Sequence, residues 1–120
     1  MPGEERFARQ LKKGVLEMLV LRLLAAQPAH GYALIVRLRA AGGGQLDLKE
    51  GTLYPILYRL EEEGCITSAW DSPDGRAGVG KVPRRVYTVT DAGRAALAQQ
   101  TEIWRQFAAC VEQVLGRDDG

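Results

Sequence analysis

Ligating and catalytic side chains are scarce in this chain. Its 120 residues include one histidine and two cysteines. Cys65 and Cys110 have neither zinc-site spacing nor the pattern of a disulfide framework, so no metal or cofactor is expected. They read either as small buried apolar side chains or, for Cys110, as a thiol that pairs with its symmetry mate in a dimer. His30 has no evident acid or nucleophile partner, and there is no phosphate loop, so the chain does not read as an enzyme. No apolar run is long enough to cross a bilayer, since the richest, Val15 to Ala26, contains Glu17 and Arg22. The first residues carry Glu4, Glu5, Arg6 and Arg9 where a secretory signal needs an apolar run. A cytoplasmic protein without a membrane partner is expected. Charge of one sign is also lacking: the net charge is +1, so any contact with nucleic acid must come from local clusters. Repeats, low-complexity tracts and long linkers are absent, which leaves one domain with a modest core.

What is present is a succession of helical periods. Leu16, Leu19, Val20, Leu23 and Leu24 form one stripe, extended backward by Leu11 and Val15, and predict a helix from about Glu5 or Phe7 to Ala26. Gln27-Pro28 ends it. A second helix is expected over about His30–Ala41, with Leu34, Ile35 and Leu38 inside and Gly42-Gly43-Gly44 as its stop. A third is expected over about Lys49–Glu63. Its Leu53, Ile56, Leu57 and Leu60 share one face, while Gly51, Pro55, Tyr58 and Glu62 share the opposite one. Glycine, proline and tyrosine are poor helix formers, so a face built from them is unlike an ordinary solvated surface. Pro55 predicts a slight bend or an irregular first turn. Period-two runs over Ile66–Asp71 and Arg85–Val89 flank the turn residues Ser72-Pro73-Asp74-Gly75, which reads as a hairpin with a long basic tip. Thr90 is placed to cap a last helix that runs to about Leu115.

Three helices followed by a basic hairpin is the order of a winged helix-turn-helix, so the expected fold class is mainly α with a β-hairpin wing and a long C-terminal helix. Residues 1–89 form the expected DNA-binding region, 90–115 the dimerisation helix and 116–120 a frayed tail. The third helix would face the major groove. Gly51 admits a phosphate close to the helix N-terminus, beside the charge of Lys49. Thr52, Tyr54 and Tyr58 offer hydroxyls to phosphates or base edges, and Pro55 lies among them. Arg59 either binds phosphate or pairs with Glu62 or Glu63. Tyr32 either contacts the backbone of DNA or packs in the core. In the wing, Lys81, Arg84 and Arg85 are the candidates for phosphate or the minor groove, with Arg76 secondary. The last helix lines Ile103, Trp104, Phe107, Ala108, Val111, Val114 and Leu115 along one broad face, more apolar surface than a small core needs, and predicts a homodimer.

The run His30-Gly31-Tyr32-Ala33-Leu34-Ile35, the run Glu50-Gly51-Thr52-Leu53-Tyr54-Pro55-Ile56-Leu57-Tyr58-Arg59-Leu60-Glu61 and the run Arg84-Arg85-Val86-Tyr87-Thr88-Val89-Thr90-Asp91-Ala92-Gly93-Arg94 together resemble the PadR family of transcriptional regulators. The resemblance covers about Leu11 to Val114, and the stretch Ser72–Val82 is longer and richer in glycine than in many relatives. It implies a dimeric winged helix-turn-helix, usually a repressor, of a kind that commonly releases double-stranded DNA when a small aromatic or cationic effector, or another signal, acts on it. The single terminal helix resembles the compact subfamily, and by that resemblance Trp104 is a candidate for an effector cavity between subunits. Dimer packing without an effector is the alternative role for Trp104. Two other functions compete: a winged-helix module that binds proteins, and a small-molecule sensor that does not bind DNA.

Overall fold

The computed structural model describes residues 2–71 and 84–116. Along the chain these form α1 (Pro2–Lys12), α2 (Val15–Ala26), β1 (Ala29–His30), α3 (Gly31–Ala41), α4 (Glu50–Glu62), β2 (Ile66–Trp70), β3 (Arg85–Val89) and α5 (Asp91–Leu115). The core is built of leucine. Val20, Leu21 and Leu24 of α2, Leu34 and Leu38 of α3, and Leu53, Ile56, Leu57 and Leu60 of α4 are all buried, closed by Leu48, Ile66, Tyr87 and Val89. The four predicted core positions of α4 are therefore the buried ones. Leu21 lies outside the predicted stripe of α2 but is fully buried, because α2 is the central helix and is packed by α3, α5 and β3.

The expected single first helix is two helices. Gly14 adopts φ 87°, a left-handed conformation that side chains resist, and there α1 ends and α2 begins. The change of direction takes Leu11 off the core stripe; it is 58% exposed. His30 does not lie in the second helix. It is the N-cap residue of α3 and, with Ala29, forms a short strand. The wing is therefore not an isolated hairpin. β3 is the middle strand of an antiparallel sheet in the order β1-β3-β2, with Ala29 opposite Tyr87 and His30 opposite Val86. That third strand ties the hairpin, marginal alone, to the helices. α4 continues through Pro55, and in its first turn the Lys49 carbonyl accepts from both Thr52 (3.0 Å) and Leu53 (2.9 Å).

The turn from β3 into α5 is held by Thr90. Its hydroxyl accepts from the Gly93 N–H at 3.0 Å, donates to the Gly64 carbonyl at 2.7 Å, and its own N–H reaches the Cys65 carbonyl at 3.0 Å. The first turn of α5 sits so close to this loop that a Cβ on Gly93 would fall on the Cys65 carbonyl oxygen. Gly116 closes α5, and residues 117–120 of the expected tail lie outside the described residues. Among the described residues no helix is long and apolar enough to cross a membrane.

Candidate nucleic-acid interface

The recognition face predicted on α4 is open to solvent. Gly51, Thr52, Tyr54, Pro55, Tyr58 and Arg59 are all exposed, and so is Lys49 at the N-cap. Tyr58 is 67% exposed and stands clear of the body. A Cβ built on Gly51 would meet nothing within 4 Å, so no contact inside the protomer demands a glycine there. Tyr54 is half-exposed but lies back over α3: a Cβ on Gly31 would come 2.6 Å from its hydroxyl oxygen. This contact explains why Gly31 follows His30, and it locks the two helices of the turn motif together. Tyr32, at the start of α3, is 65% exposed, which excludes its core-packing alternative.

Arg59 pairs with neither Glu62 nor Glu63. Its guanidinium reaches across to Glu17 of α2, with contacts of 3.3 and 3.4 Å. Arg59 lies on the flank of α4 that faces α2, whereas Glu62 lies on the outer face and Glu63 is the C-cap residue past the last turn. The His30 ring donates from Nδ1 to the Arg85 carbonyl at 3.2 Å and so fastens β1 to β3, a structural role.

The wing leaves the body progressively. Along the inward face of the β2–β3 pair, Ile66 and Val89 are buried, Ser68 and Tyr87 follow, and the outermost pair, Trp70 and Arg85, is exposed. Arg85 is held there on two sides. Its guanidinium stacks 5.0 Å from the Trp70 ring centroid, and its Nε donates to Ser68 Oγ at 3.0 Å. Ser68 Oγ in turn donates to Glu61 Oε2 of α4 at 2.7 Å. A chain of contacts thus links the wing to the end of the recognition helix, and Trp70, absent from the predicted site, belongs to it. The signal available in the sequence was the position of both residues at the tip-side ends of the two period-two runs; the structure's register sets Trp70 opposite Arg85. Arg84 is exposed and near Asp71 at 4.0 Å. Lys81 and Arg76 lie outside the described residues.

On α5, Ile103 (58%), Phe107 (61%), Val114 (81%) and Leu115 (73%) are exposed, with Val111 and Trp104 partly so and Ala108 half-buried. Exposed Phe7 and Leu11 of α1 extend the apolar surface. Leu11 borders a groove of about 440 Å³ with Val15, Met18, Ile103, Trp104 and Phe107. The α1 contribution was missed because Leu11 fits the core stripe of an unbroken helix. Trp104 also borders a second groove, of about 750 Å³, which carries Arg22, Arg94 and Arg105. Cys65 is buried, and burial followed by the charges of Glu63 and Glu17 pushes its thiol pKa up. Cys110 is exposed on α5, not buried as the apolar reading of both cysteines required.

A helix-turn-helix on a leucine core, flanked by a sheet-anchored wing, defines a winged-helix protein. Residues 20–99 match the transcriptional regulator PadR-like family, and the chain belongs to it. It is 37% identical over 108 residues, 90% of either chain, to the transcriptional regulator Rv3488 of Mycobacterium tuberculosis. Among solved structures, a PadR family transcriptional regulator from Eggerthella lenta is 33% identical with a TM-score of 0.80, covering 95% of this chain and 93% of its own. Bacillus subtilis PadR, solved in complex with operator DNA, is 27% identical with a TM-score of 0.63, over 73% of this chain and 47% of that one.

Proposed function

We propose that this PadR-like transcriptional regulator binds duplex DNA as a homodimer in the cytoplasm, represses from an inverted-repeat operator and is released by a small aromatic or cationic effector. The observation that carries the DNA reading is the outer face of α4. It spends helix stability on an exposed Pro55 and on an exposed Gly51 whose absent Cβ would meet nothing in the protomer. A glycine in open space is explained by a ligand that must come close, and the helix N-terminus beside Lys49 favours an anionic one. Tyr58, Thr52 and Tyr54 contact phosphates or base edges, Tyr32 and Arg59 the flanking backbone, and Lys81, Arg84 and Arg85 the backbone or minor groove beside it. Residues 1–89 are the DNA-binding part and 90–115 the dimerisation helix. The exposed apolar face of α5 supports pairing, and Trp104, between two grooves, is where an effector would enter. The operator-bound Bacillus subtilis relative supports the DNA partner.

Selection of duplexes from a random pool, followed by titration at several salt concentrations, tests this. A DNA regulator gives an enriched inverted repeat and a steep fall of affinity with salt, about 0.9 in log–log slope per neutralised phosphate. The triple substitution Lys81→Ala, Arg84→Ala, Arg85→Ala weakens binding to all sequences and flattens that slope, whereas Thr52→Ala or Tyr54→Phe changes which sequences are preferred. No enrichment and no salt dependence would establish the protein-binding or sensor reading instead. Unchanged binding in the triple variant would remove the wing from the interface.

A further inference from the structure

α1 has two working faces. At 100° per residue, Phe7 and Leu11 share one side, while Arg6, Arg9, Lys12 and the adjoining Lys13 fall on the other. The structure gives the two sides different neighbours. Leu11 borders the apolar groove against α5, whose rim Lys13 also reaches. The basic residues border a separate groove of about 680 Å³ whose far wall is Leu48 and Thr52, the latter in the first turn of α4. Lys13 also borders the notch beside Gly51, Pro55 and Arg59. Arg6, Arg9 and Lys13 are exposed and Lys12 is half-exposed. Among the described residues the one carboxylate on this groove is Asp47, and it lies 3.7 Å from Arg39.

We propose that the basic side of α1 is a second phosphate-contact surface, which grips the DNA backbone along the flank of α4 away from the wing. The proposal rests on the DNA reading of α4 and extends it to residues that neither the turn motif nor the wing contains. Two features favour duplex DNA as the occupant. Arg6, Arg9 and Lys12 on α1, with Lys13 in the turn after it, outnumber the one acidic position, Glu5, that shares their arc by spacing and so complement a polyanion, and the groove runs directly into the first turn of the recognition helix. With the wing on one flank of α4 and α1 on the other, the backbone is held from both sides of the inserted helix. A chain with a net charge of +1 needs such local concentration of cations to bind a polyanion at all.

The test compares variants that remove equal charge from different places. Arg6→Gln/Arg9→Gln and Lys12→Gln/Lys13→Gln neutralise the α1 face, while Arg22→Gln/Arg105→Gln neutralises two cations on the α2–α5 groove. Glutamine keeps helix propensity, and sedimentation with circular dichroism confirms that each variant retains its fold and assembly. Affinity for a 40-base-pair duplex of mixed sequence is titrated between 50 and 300 mM salt. Four cations removed per dimer flatten the log–log slope by up to about 3.6 in each α1 variant, if every one meets a phosphate, and by less than about 0.9 in the control. The charge-conserving Arg6→Lys/Arg9→Lys restores the wild-type slope. Equal slopes in the α1 variants and the control would overturn the proposal while leaving the recognition helix in place. A wild-type protein with no salt dependence would overturn the DNA reading itself and this proposal with it.

Discussion

Gly51 and Gly93 lack a side chain for opposite reasons. At Gly93 the reason is internal, because a Cβ would collide with the Cys65 carbonyl and the Val89 side chain. At Gly51 the protomer leaves open space, so the reason lies outside it. The two substitutions should therefore separate stability from binding. Gly51→Ala is expected to raise stability by about 0.5 kcal/mol at most, since Gly51 sits in the first turn where the full helix-interior difference does not apply, while weakening DNA binding at least several-fold. Gly93→Ala is expected to lose stability through the backbone clash. Urea melts alongside DNA titrations check the pair, and a Gly51→Ala protein that binds normally would remove the close approach. A pH effect belongs at the same scale. Burial raises the Cys65 thiol above its ordinary value of 9.0 and the Tyr87 phenol above its ordinary 10.0. In the alkaline range the folded chain then holds protons that the unfolded chain has released, so unfolding gains as pH rises. This stabilisation is complete below pH 9 and drains away above it. The melting temperature is expected to be insensitive to these groups through neutrality and to fall from about pH 9 upward, less steeply in Cys65→Ala.

Among the elements, those with long periods were legible. α4 announced both its faces, since four buried aliphatic residues at helical spacing leave only one side free for Gly51, Pro55 and Tyr58. α5 was legible from the cap at Thr90 to its last turn. The break at Gly14 was not, because a single glycine inside a helical stripe is tolerated and Leu11 continued the pattern. β1 has two residues and no period to detect; its pairing with β3 is a tertiary fact. The partner of Arg59 was hidden for the same reason, as Glu17 is distant in sequence and local spacing offered Glu62 and Glu63 instead. The wing shows how an element inherits its position from such contacts. Arg85 was read as a phosphate ligand, yet its Nε and its planar face are already committed to Ser68 and Trp70, and through Ser68 to Glu61 on α4. It therefore also positions the wing against the recognition helix. Arg85→Lys keeps the charge but loses the planar fork and the stacking. The expected outcome is a salt slope close to wild type with affinity well below it, together with a changed Trp70 emission in the free protein. Full recovery of affinity by lysine would leave Arg85 a phosphate contact alone.

At the scale of the molecule, the shape poses its own demand. The chain spans 62 × 34 × 21 Å, and α5 with its 25 residues is about 37 Å long. Its beginning packs on α2 and β3, but from Ile103 onward its large side chains stand mostly exposed. An unsupported helical stretch of that length is marginal in water, so the second half of α5 needs a surface to lie on. Under the proposed pairing a second copy would supply one, and a two-fold axis there would set two α4 helices about 34 Å apart, one turn of DNA. Cys110 offers a direct readout. It falls between Phe107 and Val114, three residues after one and four before the other, and so shares their stripe along α5. The proposed pairing would cover its thiol, which is exposed in the protomer. Modification by a thiol reagent should then have one slow thiol at every concentration, Cys65, and a second whose rate rises as the protein is diluted through the dimer dissociation range. Phe107→Glu places a charge in the stripe and should leave Cys110 fast at all concentrations, with DNA affinity reduced far more than its salt slope per protomer, because one protomer then holds one half-site. A Cys110 rate independent of concentration in the unaltered protein would mean that α5 does not pair through this face.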